Sequence, residues 1–256
     1  MPSTSVSILV NNILSERFFQ KYRNLDAYFS NLNCRSFCLQ RWMTHFQSDV
    51  LLLQEFCRKE QSSFFDFSLY HCIFIGSSSN VYPTVLLKKS VFPTFEIISS
   101  LNSSINGYIA VKTKHISGFE AIFVSVHCPY GGSENFVECG LDQFLSGVSL
   151  PVVIGGDFNK EIVPLSSKNF EVPVPQAHLS NTEQGSFIVK FDHVFISNLN
   201  PESVVLNYVT PANLLLTHGW GSGDAKDGEE IVKENADANV FYSDHGIIQF
   251  NINLTD

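Results

Sequence analysis

The strongest constraint on this chain is its punctuation by ten short apolar runs, rich in Val, Ile and Phe, spread almost from end to end. They cover Ser7–Leu14, Asp49–Phe56, Tyr70–Ile75, Thr84–Lys88, Tyr108–Lys112, Ala121–His127, Pro151–Gly156, Ile188–Ser197, Ser203–Tyr208 and Gly246–Leu254. Runs this short and this rich in β-branched and aromatic residues predict strands. Only two segments carry helical spacing. Cys34–Phe46 lines up Cys34, Phe37, Cys38, Trp42 and Phe46 on one face, with Arg35 and Gln40 facing away. Glu134–Leu145 groups Val137, Leu141, Phe144 and Leu145, with Gly140 interrupting. Many strands with two helices predict a layered α/β chain in which strands dominate. His218–Asn239, with Trp220 and a mixed charge run, fits neither element; it reads as a solvated loop or, more sharply, as a loop facing substrate.

Composition narrows the class. The 256 residues are enough for one large core and few for two ordinary domains, so a single domain over 1–256 is expected. Apolar residues make up 44%, which excludes a disordered chain, and the 23 phenylalanines point to an aromatic core. A net charge of −9 argues against strong non-specific duplex DNA binding, which needs a basic footprint. It does not argue against a small phosphorylated substrate, because a bound cation adds local positive charge. The cysteines at 34, 38, 57, 72, 128 and 139 form no CxxC pair, so a thiolate zinc site is not expected and free thiols in a reducing compartment are. No run has the roughly 18 apolar residues of a membrane span, and no signal peptide is evident. A cytoplasmic protein, or one exported without such a signal, is the expectation.

The functional information lies where the runs end. A strand should stop in turn residues, yet here several stop in acids, amides and histidines: Gln54-Glu55, His127-Cys128-Pro129, Gly155-Gly156-Asp157-Phe158-Asn159, Asp192-His193 and Ser243-Asp244-His245. Each fragment is weak alone. In this order, with Asn12 ahead of them, the series resembles the active-site series of the endonuclease/exonuclease/phosphatase superfamily, over about residues 7 to 250. The resemblance implies a four-layered α/β sandwich, DNase I-like, with two packed, mostly antiparallel β-sheets flanked by helices. It also implies a site where strand ends of both sheets meet.

Phosphoester cleavage needs a nucleophilic water, neutralisation of phosphoryl charge, and help for the leaving oxygen. Mg²⁺ (or Mn²⁺) takes hard oxygen ligands and keeps several waters. Glu55 is the first candidate ligand, with Asn12 and Asp244 as supporting oxygens. Asp157 and Asn159 are two apart, so in an extended segment they share a face. The resemblance implies that Asp157 orients or deprotonates the water and that Asn159 holds the phosphate. It pairs His245 with Asp192, which would fix the imidazole tautomer and favour its cation. Whether that histidine is the base or stabilises the transition state stays open. The resemblance also implies that His127 contacts the phosphate or protonates the leaving oxygen. Alternation points His193 away from Asp192's side. His115, His178 and His218 have no supporting partners in the sequence and read as surface residues.

The substrate is less legible. Ile154-Gly155 stands where phosphoinositide 5-phosphatases carry Trp before the Gly-Asp pair. Asn12-Ile13-Leu14, Leu53-Gln54-Glu55, Gly156–Asn159 and Ser243–His245 are similar to the deadenylase and related bacterial branches, but Lys160-Glu161-Ile162 follows where deadenylases have serine and proline. Lys88-Lys89, Lys112 with Lys114, and Arg17, Lys21 and Arg23 are the basic groups that substrate phosphates would meet. Arg17 lies close after Asn12, and Tyr130 and Trp220 are aromatics able to stack a base. The leading expectation is a phosphodiesterase or nuclease acting on a short single-stranded nucleic acid or nucleotide-like substrate. The alternatives are a phosphomonoesterase or lipid-headgroup phosphoesterase (phosphoinositide or sphingomyelin type), and a binding scaffold without activity.

Overall fold

The computed structural model describes residues 5–13, 47–61, 66–103, 105–130, 136–160, 163, 165, 169–172, 191–209 and 247–254. These form two six-stranded sheets and two α-helices. The first sheet runs β11 (Val204–Val209), β12 (Ile247–Asn253), β1 (Ser5–Asn12), β2 (Val50–Phe56), β4 (Tyr82–Lys88), β3 (Tyr70–Ile73). The second runs β5 (Phe95–Ser103), β6 (Asn106–Lys114), β7 (Glu120–His127), β8 (Val152–Asp157), β10 (Asp192–Ser197), β9 (Asn169–Glu171). Pairing is antiparallel except between β1 and β2 and between β7 and β8. The mostly antiparallel two-sheet sandwich that the resemblance implies is the fold observed.

Why the central runs are continuously apolar follows from packing on both faces. Along β7 and β8, Phe123 and Val153 point between the sheets, where they meet Val10, Leu52, Val85, Val111, Val194 and Phe250. Their neighbours Ile122, Val124, Val152 and Ile154 point outward beneath α2 (Phe136–Ser146), against Val137, Leu141 and Leu145. Phe123 also meets Phe92 edge-on at 5.6 Å, so truncating it would cost about 3–5 kcal/mol. Gly140 sits inside α2 because the helix lies close on the sheet there. A Cβ at this position would stand 3.3 Å from Leu101 Cδ2 and 3.5 Å from Tyr108 Cε1. The expected helix at Cys34–Phe46 and the loop at His218–Asn239 lie outside the described residues.

Three elements were not expected. β5 is an exposed edge strand whose Ser-rich sequence lacks alternation, and its pairing with β6 is what defines it. β9 has three residues and exists only through β10. α1 (Arg58–Gln61) is a single turn after β2. One geometric result positions the site. The two parallel pairs, one per sheet, end at the same place.

Candidate active site

In register, Asn12 stands beside Gln54 at the end of β1 and β2. His127 stands beside Asp157 at the end of β7 and β8, and Asp192 opposite Asp157 at the start of β10. Asn12, His127 and Asp157 converge with Glu55 across the sheets. The Asn12 Nδ2 group donates to Asp157 Oδ2 at 3.1 Å and to Glu55 Oε1 at 3.4 Å. His127 Nε2 lies 3.6 Å from Asp157 Oδ2 and 3.9 Å from Glu55 Oε1. Its Nδ1 is 3.1 Å from the Ile105 carbonyl, which can only accept, so Nδ1 carries a proton and Nε2 faces the carboxylates. Asn12, His127, Asp157 and Asp192 are all at most 3% exposed, and Glu55 is 9% exposed.

Glu55 reaches this point through a bulge. The β2–β4 register shifts between Leu53 and Phe56, and Glu55 takes φ 53°. A bulge re-aims one side chain without ending the strand. The left-handed backbone of a glutamate costs about 1–3 kcal/mol, a cost that clusters at functional sites. Gln54 is the structural half of the pair. Its Nε2 donates to Ser125 Oγ at 3.0 Å, and Ser125 donates to the Leu53 carbonyl at 2.9 Å, tying the sheets together behind the carboxylates. Sequence reading passed over Ser125; the available signal is a lone hydroxyl inside the apolar run Ala121–Val126.

The paired glycines before Asp157 have separate tasks. A Cβ on Gly155 would press on Val10 and Leu52 of the other sheet, and a Cβ on Gly156, at φ 158°, would run into the Val126 carbonyl of β7. Together they bring Asp157 close to both neighbours.

Asp157 and Asn159 do not share an extended face as alternation suggested. The chain turns at Asn159, with φ 52°. Asn159 N–H donates to Asp157 Oδ1 at 2.8 Å, and Asn159 Nδ2 donates to the Cys128 carbonyl at 2.8 Å. The local hydrogen bond within Asp-Phe-Asn competes successfully with strand continuation. The two residues still serve one site, but through a turn.

Tyr130 lies 79% exposed, its ring edge-on to Phe191 at 6.1 Å, and Phe191 directly precedes Asp192. It therefore stands at the rim. The basic pairs lie elsewhere. In the β6–β7 ladder, Gly107 pairs with His127 at the site end while Lys114 pairs with Glu120 at the other, about 23 Å away at the usual strand rise. Lys112 and Lys114 pair with Glu120, and Lys88 with Asp49. His115 is a core residue, not a surface one. It is 2% exposed, its Nδ1 is 2.7 Å from Ser117 Oγ and its ring is edge-on to Phe92, and burial pushes its pKa below the ordinary value. His193 is buried on the side away from Asp192, as alternation predicted. Arg17, His178, His218, Trp220, Asp244 and His245 lie outside the described residues.

Two carboxylates from different sheets, held against one amide and one imidazole with almost no solvent, concentrate negative charge that a cation would relieve. Their hard oxygens, with the Asn12 carboxamide oxygen, suit Mg²⁺ or Mn²⁺, which keep most of their water ligands. Among the described residues no group of three or more His, Cys, Asp or Glu is arranged to hold a metal ion by itself. Among them also, no helix is long and apolar enough to cross a membrane. No disulfide joins the described cysteines 57, 72, 128 and 139 to one another.

The same two-sheet architecture is found in several solved structures. The endonuclease/exonuclease/phosphatase from Bacteroides vulgatus aligns with a TM-score of 0.64 and 14% identity, covering 99% of this chain and 100% of that one. The D. rerio TDP2 complexed with single strand DNA product aligns at 0.66 and 17%, covering 98% and 100%. The Bacteroides thetaiotaomicron mannosyl-6-phosphatase aligns at 0.63 and 13%, covering 96% and 98%. No protein-family profile and no curated protein matches the sequence, so the likeness is one of fold.

Proposed function

We propose that this protein is a divalent-metal-dependent phosphoesterase that hydrolyses a phosphodiester in a short single-stranded nucleic acid or nucleotide-like substrate. The observation that carries the reading is the convergence of Asn12, Glu55, His127 and Asp157 from both sheets on one buried point. A structural network would have no reason to gather two carboxylates there.

Glu55 and Asn12, with Asp244, would hold Mg²⁺ or Mn²⁺, which neutralises phosphoryl oxygen charge. Asp157 is the water-activating group. The Asn159 N–H fixes its Oδ1, and Oδ2 faces the gap between Asn12 and His127, where it accepts a proton as water attacks phosphorus. Asn159 spends one Nδ2 hydrogen on Cys128 and keeps the second for a phosphoryl oxygen. His127 would contact the phosphate through its Nε2 side or, as an imidazolium that keeps its Nδ1 proton on the Ile105 carbonyl, give its Nε2 proton to the leaving oxygen. Asp192 orients His245. Tyr130 at the rim supplies a face on which a base can stack, with Trp220 and Arg17 as further substrate contacts. A neighbour in fold carries single strand DNA product, which supports a nucleic-acid substrate. Another is a mannosyl-6-phosphatase, which supports the second reading, a phosphomonoesterase.

The test is a hydrolysis panel with Mg²⁺: short RNA, single-stranded and duplex DNA, sugar phosphates, inositol phosphates and a sphingolipid headgroup ester. Asp157→Asn should lower kcat by about 10²–10⁴-fold, the range for a lost general base, and EDTA should stop turnover until Mg²⁺ or Mn²⁺ is restored. Turnover that survives Asp157→Asn removes Asp157 from the mechanism, and turnover indifferent to EDTA removes the metal.

A further inference from the structure

His193 is fully buried on β10, on the face opposite Asp192, between Phe158 (edge-on, 5.7 Å) and Phe195 (stacked, 5.9 Å). Both ring nitrogens are engaged. Nδ1 lies 2.8 Å from Glu171 Oε1 on β9, and Nε2 lies 2.7 Å from the Lys160 carbonyl oxygen. A carbonyl only accepts, and an ionised carboxylate only accepts, while a neutral imidazole has one N–H to give. Two short contacts to two acceptors therefore require a proton on each ring nitrogen. Glu171, about two-fifths exposed, is the counterion, and the aromatic neighbours offer no competing charge. On the same segment Lys160 Nζ pairs with Glu138 Oε2 at 2.9 Å.

Lys160 directly follows Asn159, the residue whose left-handed turn gives its N–H to Asp157 Oδ1 and its Nδ2 to Cys128. The Asn159 peptide is held on one side by those bonds. On the other, the chain is held by the bond from His193 to the Lys160 carbonyl and by the Lys160–Glu138 pair. We propose that His193, as an imidazolium paired with Glu171, is a positioning residue that clamps the Asp157–Asn159 turn from behind and so sets the aim of both site side chains. This rests on the phosphoesterase reading for its effect on rate, but not for the clamp itself. His193 touches no reacting atom. It acts through Lys160, with a charge-assisted bond that is shorter and stronger than a neutral one.

The experiment uses the full chain in three forms: wild type, His193→Phe and Glu171→Gln. Glu171→Gln keeps an acceptor at the half-exposed position and removes only the counterion, so it tests the clamp even if the buried replacement fails to fold. The first readout is ¹⁵N–¹H spectroscopy of the imidazole. Wild type should show both His193 nitrogens protonated, and Glu171→Gln should show one. The second is amide exchange, with Asn159 and Lys160 exchanging at least about tenfold faster in Glu171→Gln while core amides of β7 hold. The third is the kcat against KM split on whichever ester the wild type cleaves: kcat should fall about tenfold with KM little changed. A singly protonated His193 in wild type, or unchanged Asn159 exchange in Glu171→Gln, overturns the clamp. A wild type inert on every ester would instead defeat the phosphoesterase reading, and ring protonation and exchange would still decide the clamp.

Discussion

Gly155→Ala should wedge the two sheets apart at the one place where their separation sets the site. The Cβ would stand 2.5 Å from Val10 Cγ2 and 3.0 Å from Leu52 Cδ1, where ordinary contact begins at 3.4 Å. Leu52 can swing its methyl, but Val10 is stiff at χ1, so relief must come from about 1 Å of movement between β1 and β8. Overpacking of this size costs about 1–3 kcal/mol, which for a domain of this length lowers Tm by about 2–4 °C per kcal/mol. Val10 is two residues before Asn12, and Gly155 two before Asp157, so the same movement lengthens the 3.1 Å Asn12–Asp157 bond past hydrogen-bonding range. A shift of that size between reacting groups costs on the order of 100-fold in rate. Urea unfolding and hydrolysis should be measured on Gly155→Ala, Val10→Ala and the pair. Val10→Ala makes room for the new methyl, so the double variant should be more stable than the sum of the singles by about 0.5–3 kcal/mol. A Gly155→Ala protein within about 0.5 kcal/mol of wild type with full activity, or strictly additive variants, would refute the idea that this contact sets the sheet spacing.

Tyr130→Ala, at an exposed rim position, should leave the unfolding midpoint unchanged and weaken binding of a base-bearing substrate by about 1–3 kcal/mol, read as a raised KM; an unchanged KM would take Tyr130 out of substrate contact. His115 is held neutral in the fold because burial lowers its pKa from the ordinary 6.5, against a smaller opposing pull from Asp49. The unfolded chain then takes up a proton first, so this contribution to stability is full above about pH 6.5 and is lost as pH falls below it. Urea midpoints at pH 7 and pH 5 should differ less in His115→Gln than in wild type. Burial pushes the Cys72 thiol up to about 12 and raises Cys57, whereas Cys139 is exposed, so alkylation at pH 8 followed by mass spectrometry should mark Cys139 well ahead of Cys57 and Cys72.

Much of this fold was legible because burial leaves a periodic trace. Val152, Val153 and Ile154 are all apolar since β8 is covered by the other sheet on one face and α2 on the other. β5 left little such trace, because most of this edge strand is exposed and only Ile98 and Leu101 reach the core. The polar residues that close the runs were legible as a set of candidate groups, since strand ends rarely need that many acids and histidines. Their distances were not. The bulge that turns Glu55 inward is invisible in Leu53-Gln54-Glu55-Phe56, where alternation would send Gln54 and Glu55 to opposite faces. The turn at Asn159 likewise depends on a hydrogen bond from its own N–H to Asp157.

By itself, then, the sequence determined that strands dominate and which residue types are available for chemistry, because periodicity and composition are local properties of the chain; the two-sheet sandwich came only from the resemblance its motifs carry. The tertiary structure alone decided which of those residues meet. It joined Asn12 and Glu55 of one sheet to His127 and Asp157 of the other, and sent the Lys112–Lys114 pair to the opposite end of its strand. It also turned His115 and His193 into buried, hydrogen-bonded groups. The physical reason is that packing two sheets face to face fixes distances between residues more than a hundred positions apart, and no local pattern encodes such a distance.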